Sequence, residues 1–112
     1  MEELLSKYRL FVKERNWEQF HNPKNLAAAL SVEASELLEL FMWLTEAQAS
    51  NPSPTRLQDI RDEMADVFLY LLRLSDVLQI DLLQAAREKF VKVEQKYPVD
   101  KSLALADSLR KE

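Results

Sequence analysis

Apolar residues recur along most of this chain at intervals of three and four, the spacing of one face of an α-helix. Prolines interrupt the pattern, and Thr55 and Asp81 stand where a short oxygen-bearing side chain would cap the start of a helix. The pattern predicts helices at about 2–15, 24–46, 55–78 and 81–96, with a weaker one near 101–110. We therefore predict an all-α fold, a small bundle of four to five helices.

Composition narrows this prediction. With 112 residues we expect one domain over 1–112, whose modest core is completed by oligomerisation. The chain has no glycine, which argues against phosphate-cradling loops and dinucleotide fingerprints. It has no cysteine, which excludes disulfides and fits a reducing, cytoplasmic location. We expect no membrane span, and the net charge of −4 argues against nucleic-acid binding.

Two pairs of acidic residues fall on helix faces that the pattern assigns to the core. On the second predicted helix, Glu33 lies at the centre of a leucine stripe and Glu36 at its edge. On the third, Glu63 lies inside an apolar arc and Asp66 stands at its edge. If these two helices pack antiparallel, four carboxylates converge with little positive charge nearby.

Such a cluster requires compensation, because a buried carboxylate without a partner costs on the order of several kcal/mol. A hard divalent cation would supply it, and all-oxygen ligation predicts Mg²⁺, with Mn²⁺ as a possible substitute. A single Glu-x-x-Glu is usually a solvated face, but two pairs centred on apolar stripes fit that explanation poorly. A di-iron bundle needs Glu-x-x-His pairs, and the single histidine, His21, lies outside both predicted helices.

Carboxylate-held Mg²⁺ commonly binds substrate phosphates, which would let an acidic protein bind a polyphosphate. Water on such a cation loses its proton more readily, and Glu33 or Glu36 could accept that proton. Lys89, Lys92 and Lys96 recur at helical spacing on the fourth predicted helix and could complete the site. A solvated face is the better explanation for Lys92.

Aromatic residues form a second notable group. Trp17, Phe20 and His21 cluster before Pro23, and Trp43 stands at the far end of the next predicted helix. Aromatic faces can stack a base, and an imidazole can read its edge. A hydrophobic staple at the corner between two helices explains the aromatics alone at least as well.

Taken together, these motifs resemble a known family. The two acidic pairs are similar to the signature of the MazG-like nucleoside triphosphate pyrophosphohydrolases, which are all-α NTP pyrophosphatases. The stretch "ERNWEQFHNPKNLAAALSVEASELLELFMW" more narrowly resembles the dCTP pyrophosphatase branch, through its arginine, W-E-Q-F-H, P-K-N-L and F-M-W. The resemblance covers about residues 11–98.

The resemblance implies Mg²⁺-dependent hydrolysis of a (deoxy)nucleoside triphosphate, dCTP or a modified dCTP, to the monophosphate and pyrophosphate. It also implies a homodimer or homotetramer, in which a pocket can draw residues from more than one chain. The expected metal-binding and catalytic residues are Glu33, Glu36, Glu63 and Asp66. The expected substrate-binding residues are Trp17, His21, Trp43, Tyr70, Lys89, Lys96 and Arg15.

Three positions depart from the family pattern. Val93 stands where an asparagine is usual, Asn16 where an aspartate is common, and Tyr8 where some relatives have a histidine. Two alternatives to the enzyme stay open. One is a non-catalytic oligomerisation module whose carboxylates form salt bridges between subunits to Lys89 or Arg73. The other is a nucleotide-sensing module that keeps the fold without the chemistry.

Overall fold

α-Helices form most of the chain in the computed structural model, which describes residues 1–111. No strand occurs within these residues, so the predicted all-α fold is confirmed. The described residues form six α-helices rather than four to five, because the short α3 has too few residues to show a periodic pattern. The elements are α1 (Glu2–Glu14), a 3₁₀-helix (Glu18–Phe20), α2 (Pro23–Glu39), α3 (Glu46–Ser50), α4 (Pro54–Val77), α5 (Leu82–Lys96) and α6 (Val99–Lys111).

The start of α4 shows how proline and its neighbour define a helix terminus. Pro54 is the first helical residue, where its missing N–H removes no helix hydrogen bond. The Ser53 hydroxyl accepts a hydrogen bond from the backbone N–H of Arg56 at 3.2 Å, so the predicted cap at Thr55 is wrong. The predicted cap at Asp81 is confirmed at the start of α5.

Helix α2 ends at Glu39, so the predicted helix 24–46 is too long. Arg56 donates from Nη1 to the carbonyl oxygen of Leu40 at 2.7 Å, so a side chain from α4 satisfies a carbonyl at the end of α2. Thr45 then starts α3 as an N-cap with a complete capping box. A tertiary contact and a new cap therefore end the helix, and neither is visible in the hydrophobic periodicity.

Two helices are followed by a left-handed residue, although the chain has no glycine. Asn16 follows α1 with φ 54° and Gln79 follows α4 with φ 56°. The Trp17 N–H donates to the Val12 carbonyl at 3.0 Å and the Asn16 N–H to that of Lys13 at 3.1 Å, which is a Schellman ending. Asparagine tolerates this conformation better than most residues, and the turn directs the chain back toward α1.

Helices α2 and α4 pack along each other and form the main helix–helix interface of residues 1–80. Arg56 at the start of α4 contacts Leu40 at the end of α2, and Glu63 in the middle of α4 lies beside Glu33 in the middle of α2. Residue numbers rise along one helix as they fall along the other, so the two helices are antiparallel, as expected. The buried apolar side chains of the described residues form a small core, consisting of Val12, Leu26, Ile60 and Leu72.

The chain divides into two compact units, of which the first is Met1–Ile80 and the second begins at Asp81. The first contains α1 to α4, and the second contains α5 and α6. The expectation of a single domain over 1–112 stays a prediction. Among residues 1–111, no helix combines the length and the apolar character needed to cross a membrane.

Candidate metal centre and aromatic pocket

Three carboxylates meet between α2 and α4. Oxygens of Glu33, Glu36 and Glu63 all lie within 4.8 Å of one another. Glu33 and Glu36 project from α2 one turn apart, and Glu63 projects from α4. Asp66, one turn beyond Glu63, lies close enough for its charge to raise the pKa of both Glu33 and Glu63. The structure thus brings Glu33, Glu36 and Glu63 together, with Asp66 near enough for its charge to act on two of them, and the roles of all four as ligands stay predictions.

Burial and mutual repulsion make this cluster difficult to ionise. The pKa of Glu33 rises from its ordinary 4.5 to about 7, first through burial and then through the neighbouring Glu36, Glu63 and Asp66 carboxyls. The pKa of Glu63 is also raised, chiefly by burial. Both effects disfavour negative charge at the point where α2 and α4 meet. Ionising these carboxylates without a counter-charge therefore destabilises the fold.

A divalent cation fits this set of donors. One oxygen of Glu33 and one of Glu63 are buried and have no hydrogen-bond partner among residues 1–111. The ion pairs within the same residues use Glu14, Asp76 and Asp107, and none reaches the cluster. A hard cation bound by carboxylate oxygens would satisfy these acceptors and remove the repulsion. The acidic cluster could therefore hold a metal ion.

A pocket of about 370 Å³ is lined by Asp66, the residue one turn beyond Glu63 of the cluster. This volume is within the range of roughly 300–1,000 Å³ that is usual for small-molecule sites. The walls come from α1, from α4 and from the turn after α1, and they consist of Leu4, Lys7, Tyr8, Phe11, Trp17, Asp66, Leu69 and Tyr70. Aromatic walls with one cation and one carboxylate suit a flat ring that has polar atoms along its edge.

Ring contacts hold the aromatic wall in place. Phe11 and Trp17 pack edge to face, with ring centroids 5.4 Å apart. The His21 ring lies 6.4 Å from Trp17 and 6.5 Å from Tyr8, measured between centroids. The Arg15 guanidinium lies 3.7 Å from the Phe11 ring centroid. The structure thus places the predicted residues Trp17, His21 and Arg15 around one wall, and Trp17 in the pocket lining.

His21 also belongs to a polar network with α1 and α4. Arg73 donates from Nε to Nδ1 of His21 at 3.0 Å and from Nη1 to Oδ2 of Asp76 at 3.1 Å. Arg9 donates to Asp76 from Nη2 at 2.6 Å and from Nε at 3.0 Å. Hydrogen bonding to Arg9, together with the nearby Arg73, lowers the pKa of Asp76, whereas burial and Arg73 lower the pKa of His21.

Three predicted substrate residues are not among the side chains that the first unit gathers at the pocket. Trp43 is 87% exposed in the turn between α2 and α3 and does not line the pocket. Lys89 and Lys96 are exposed residues of α5, in the second unit. The Lys96 ammonium lies 5.5 Å from the centroid of the Tyr97 ring. Substrate binding by these three residues stays a prediction.

The sequence indicated Tyr8 as a residue near the base pocket, but it did not indicate that Leu4, Lys7 and Phe11 of α1 line the pocket as well. Leu4, Lys7, Tyr8 and Phe11 follow the three- and four-residue spacing of one helix face. That spacing was visible, but by itself it indicates only a core-facing stripe. Its role as a pocket wall depends on how α1 meets α4, which no local pattern specifies.

An antiparallel helix pair that carries four carboxylates beside an aromatic pocket defines an all-α protein with a candidate cation and ligand site. Residues 28–109 match the model of the MazG-like family, and the chain belongs to this family. The resemblance found in the sequence is therefore confirmed.

Named relatives extend this similarity. The chain is 37% identical over 101 residues to dCTP pyrophosphatase 1 of Rattus norvegicus, across 88% of this chain and 59% of that protein. It is 36% identical over 100 residues to dCTP pyrophosphatase 1 of Homo sapiens, across 88% of this chain and 59% of that protein. The chain thus spans less than two thirds of the length of these relatives.

A solved structure shows the same fold. A pyrophosphatase from Archaeoglobus fulgidus superposes with a TM-score of 0.83 at 42% sequence identity. The superposition covers 88% of this chain and 92% of that one. The helical arrangement described above is therefore that of a pyrophosphatase of known structure.

Proposed function

We propose that this protein hydrolyses a nucleoside triphosphate between its α and β phosphates, releasing the monophosphate and pyrophosphate. One observation carries the proposal: Asp66, whose charge acts on both Glu33 and Glu63 of the acidic cluster, also lines the aromatic pocket. A nucleotide has the same two parts, a polyanion that needs a cation and a flat ring that needs an apolar slot. The pyrophosphatase relatives support the reaction type.

The acidic cluster would bind the cation and prepare the attacking water. Mg²⁺, when bound, would neutralise phosphate charge and lower the pKa of water beside it. The residues that would hold it are Glu33, Glu36, Glu63 and Asp66. Glu33 or Glu36 would accept the proton of the attacking water, because both project from the same face of α2. The unpartnered oxygens of Glu33 and Glu63 support ligation by these two residues.

The pocket would select the base. Trp17 and Tyr70 offer aromatic faces to a stacked ring, and His21 packs against Trp17. We propose dCTP or a modified dCTP as the substrate, a preference supported by the names of the relatives. Tyr8, where some relatives have a histidine, lines the same pocket and would influence which base fits best.

Basic residues outside the pocket, and further copies of this chain, would complete the site. Lys89 and Lys96 would stabilise the charge on the departing pyrophosphate, and Arg15 would be a further basic residue that binds the substrate. The protein would work as a homodimer or homotetramer, which is supported by large exposed apolar side chains such as Leu38, at 57%, and a small core. In such an assembly the exposed Trp43 would be available to a pocket of another copy.

The non-catalytic module is less well supported. It requires cationic partners for the carboxylates, and Arg73 was one of the two candidates. In the structure Arg73 is only 9% exposed and is engaged by Asp76 and His21. Arg73 is therefore not available to pair with the acidic cluster of another subunit.

Product analysis tests the proposed function. Purified protein would be incubated with Mg²⁺ and a panel of canonical and modified dNTPs, and the phosphorus-containing products would be identified by ³¹P NMR. We expect monophosphate and pyrophosphate, with dCTP or a modified dCTP turned over fastest. Release of diphosphate and phosphate would contradict attack at the α phosphorus. No turnover by folded protein would favour the oligomerisation or sensing module.

A further inference from the structure

The hydrogen bond between Arg73 and His21 determines where the imidazole carries its proton. Arg73 donates from Nε to Nδ1 of His21 at 3.0 Å. An arginine is a donor only and stays protonated at any physiological pH, so Nδ1 must be the acceptor. A neutral imidazole that accepts at Nδ1 carries its proton on Nε2.

The surroundings of Arg73 make this arrangement rigid. The guanidinium is buried, and Asp76 binds it on one side while Arg9 binds Asp76 in turn. The contact is therefore anchored to α1 and α4 at the same time. The intact network favours one position of the guanidinium and therefore one donor direction toward His21.

The groups that face His21 all favour its neutral form. Tyr8 on α1 and Trp17 after α1 contribute uncharged rings, and Arg73 on α4 contributes a positive charge. Within residues 1–111, no carboxylate forms an ion pair or hydrogen bond with the imidazole. A second proton would have to enter at Nδ1, against the guanidinium, so it would break the hydrogen bond and place two cations together.

His21 is located directly behind the proposed base pocket. Its ring packs edge to face with Tyr8 and at 47° to Trp17, and both of those residues line the pocket. The orientation of the imidazole therefore constrains two walls at once. Arg73 itself is not in the pocket lining, so any influence on a ligand has to pass through His21.

We propose that Arg73 is a positioning residue of this pocket: it holds His21 as a neutral Nε2–H imidazole and thereby fixes the Tyr8 and Trp17 walls. The inference rests on the proposed function only in taking the pocket ligand to be a nucleotide. Burial and Arg73, which lower the pKa of His21 below its ordinary 6.5, agree with it. Arg73 follows Glu63 by about 15 Å of helix axis, at roughly 1.5 Å per residue, so it is remote from the acidic cluster.

His21 is the single histidine of the chain, so ¹⁵N NMR of histidine-labelled protein reports on it alone. In the wild-type protein we expect one neutral tautomer, protonated at Nε2, with titration below pH 6.5. Arg73→Met removes the donor, so we expect mixed tautomers and titration closer to 6.5. Arg73→Lys can still donate and should restore the Nε2–H form in part. A wild-type imidazole protonated at Nδ1, or a mixture, would overturn the inference.

Ligand affinity supplies the second readout. The probe is α,β-methylene dCTP with Mg²⁺, which resists cleavage at the proposed bond and so measures binding without turnover. Because Arg73 acts on a ligand only through His21, we expect Arg73→Met to weaken binding about tenfold, no more than the lower end of what a hydrogen bond to a charged group contributes. Arg56→Met is the matched control, because Arg56 makes one partly buried hydrogen bond to Leu40, and it should leave the His21 spectrum unchanged. Equal affinity of Arg73→Met and wild type would overturn the inference.

These readouts separate the inference from the catalytic proposal. If the wild-type protein shows a fixed tautomer and binds the probe, and Arg73→Met impairs both, the inference holds even when no triphosphate is hydrolysed. That result would contradict the proposed hydrolysis but not the role of Arg73 in the pocket.

Discussion

Helix α4 carries carboxylates in two opposite settings. Near its end, Asp76 receives hydrogen bonds from Arg9 and Arg73, and these partners lower its pKa. Near its middle, Glu63 meets Glu33 and other carboxyls, has a buried oxygen without a partner, and has a raised pKa. The same helix thus satisfies one acidic side chain fully and leaves another unsatisfied.

The difference indicates what each site is for. Asp76 joins α1 to α4 and forms a complete network, so its charge favours folding. The Glu33 and Glu63 cluster disfavours folding when nothing balances its charge, because half-buried like charges repel and lose hydration. Two arginines bind the Asp76 carboxylate, whereas no ion pair among residues 1–111 reaches this cluster. We conclude that the cluster is suited to binding a cation rather than to stabilising the chain.

The largest effect is expected on turnover. Glu63→Gln keeps the shape of the side chain but removes a charged ligand, so Mg²⁺-dependent hydrolysis should fall at least about 10²-fold, since even supporting residues of metal sites cost 10–100-fold. The fold should be retained, because a half-buried charge is removed from among other carboxylates. Glu39→Gln is the matched control, since Glu39 is an exposed carboxylate at the end of α2. Steady-state rates and circular dichroism would check both, and full activity of Glu63→Gln would refute its role.

The second effect is on stability, at the other end of α4. Asp76→Ala leaves the buried Arg73 without its carboxylate partner, so the unfolding free energy should fall by about 2–3 kcal/mol. This loss is smaller than is usual for a fully buried pair, because Arg9, the other partner of Asp76, is half exposed. Asp107→Ala breaks an exposed pair of the same i, i+3 spacing and should change stability by less than about 1 kcal/mol. Urea unfolding would compare them. Equal losses would mean that the network is not a stabilising element.

The two settings should also respond oppositely to pH. Glu33 has a raised pKa, so the metal-free fold binds its proton more tightly than the unfolded chain between pH 4.5 and about 7. Stability from this group is therefore present below 4.5 and is lost as pH rises toward 7. Asp76 has a lowered pKa, so its contribution is present above its ordinary 3.8 and is lost as pH falls below it.

Measurements of the unfolding free energy in EDTA, made across this pH range, would test the pH dependence attributed to Glu33. Glu33→Gln should remove the part of the decline in stability between pH 4.5 and 7 that Glu33 causes. Above pH 7, added Mg²⁺ should restore stability to the wild-type protein but not to the variant. An identical pH profile for wild type and Glu33→Gln would show that Glu33 does not titrate in this way.

The smallest effect concerns the turn that places Trp17 beside the pocket. Asn16 has φ 54°, a conformation that costs alanine about 1 kcal/mol or more and glycine little. We therefore expect Asn16→Ala to lower the unfolding free energy by about 1 kcal/mol, and Asn16→Gly to stay within a few tenths of wild type. Thermal unfolding would measure both. A more stable Asn16→Ala would show that the left-handed turn is not required.

Hydrophobic periodicity predicted the central helices and the acidic pairs because both are local properties of α2 and α4. The offset of three residues and the position of Glu33 and Glu63 on apolar stripes are fixed once a helix forms. Helix α4 runs Pro54–Val77, one residue from the predicted 55–78 at each end. The shared face of the carboxylates then follows from the antiparallel packing.

The remaining features depend on contacts between distant residues. The end of α2 is set partly by Arg56, and the network of Arg9, Arg73 and His21 joins three separate parts of the chain. No local pattern encodes such pairings. The position of Trp43 after a shortened α2 could not be predicted either, because it depends on where that helix ends.

Mg²⁺ binding by isothermal calorimetry, without nucleotide and at a pH above 7 where Glu33 is ionised, tests the central claim most directly. We predict saturable binding to the wild-type protein, unchanged in Glu39→Gln and lost in Glu63→Gln. Wild-type protein that is folded and binds no Mg²⁺, or that binds it equally well as Glu63→Gln, would contradict the assignment of the acidic cluster as a metal centre.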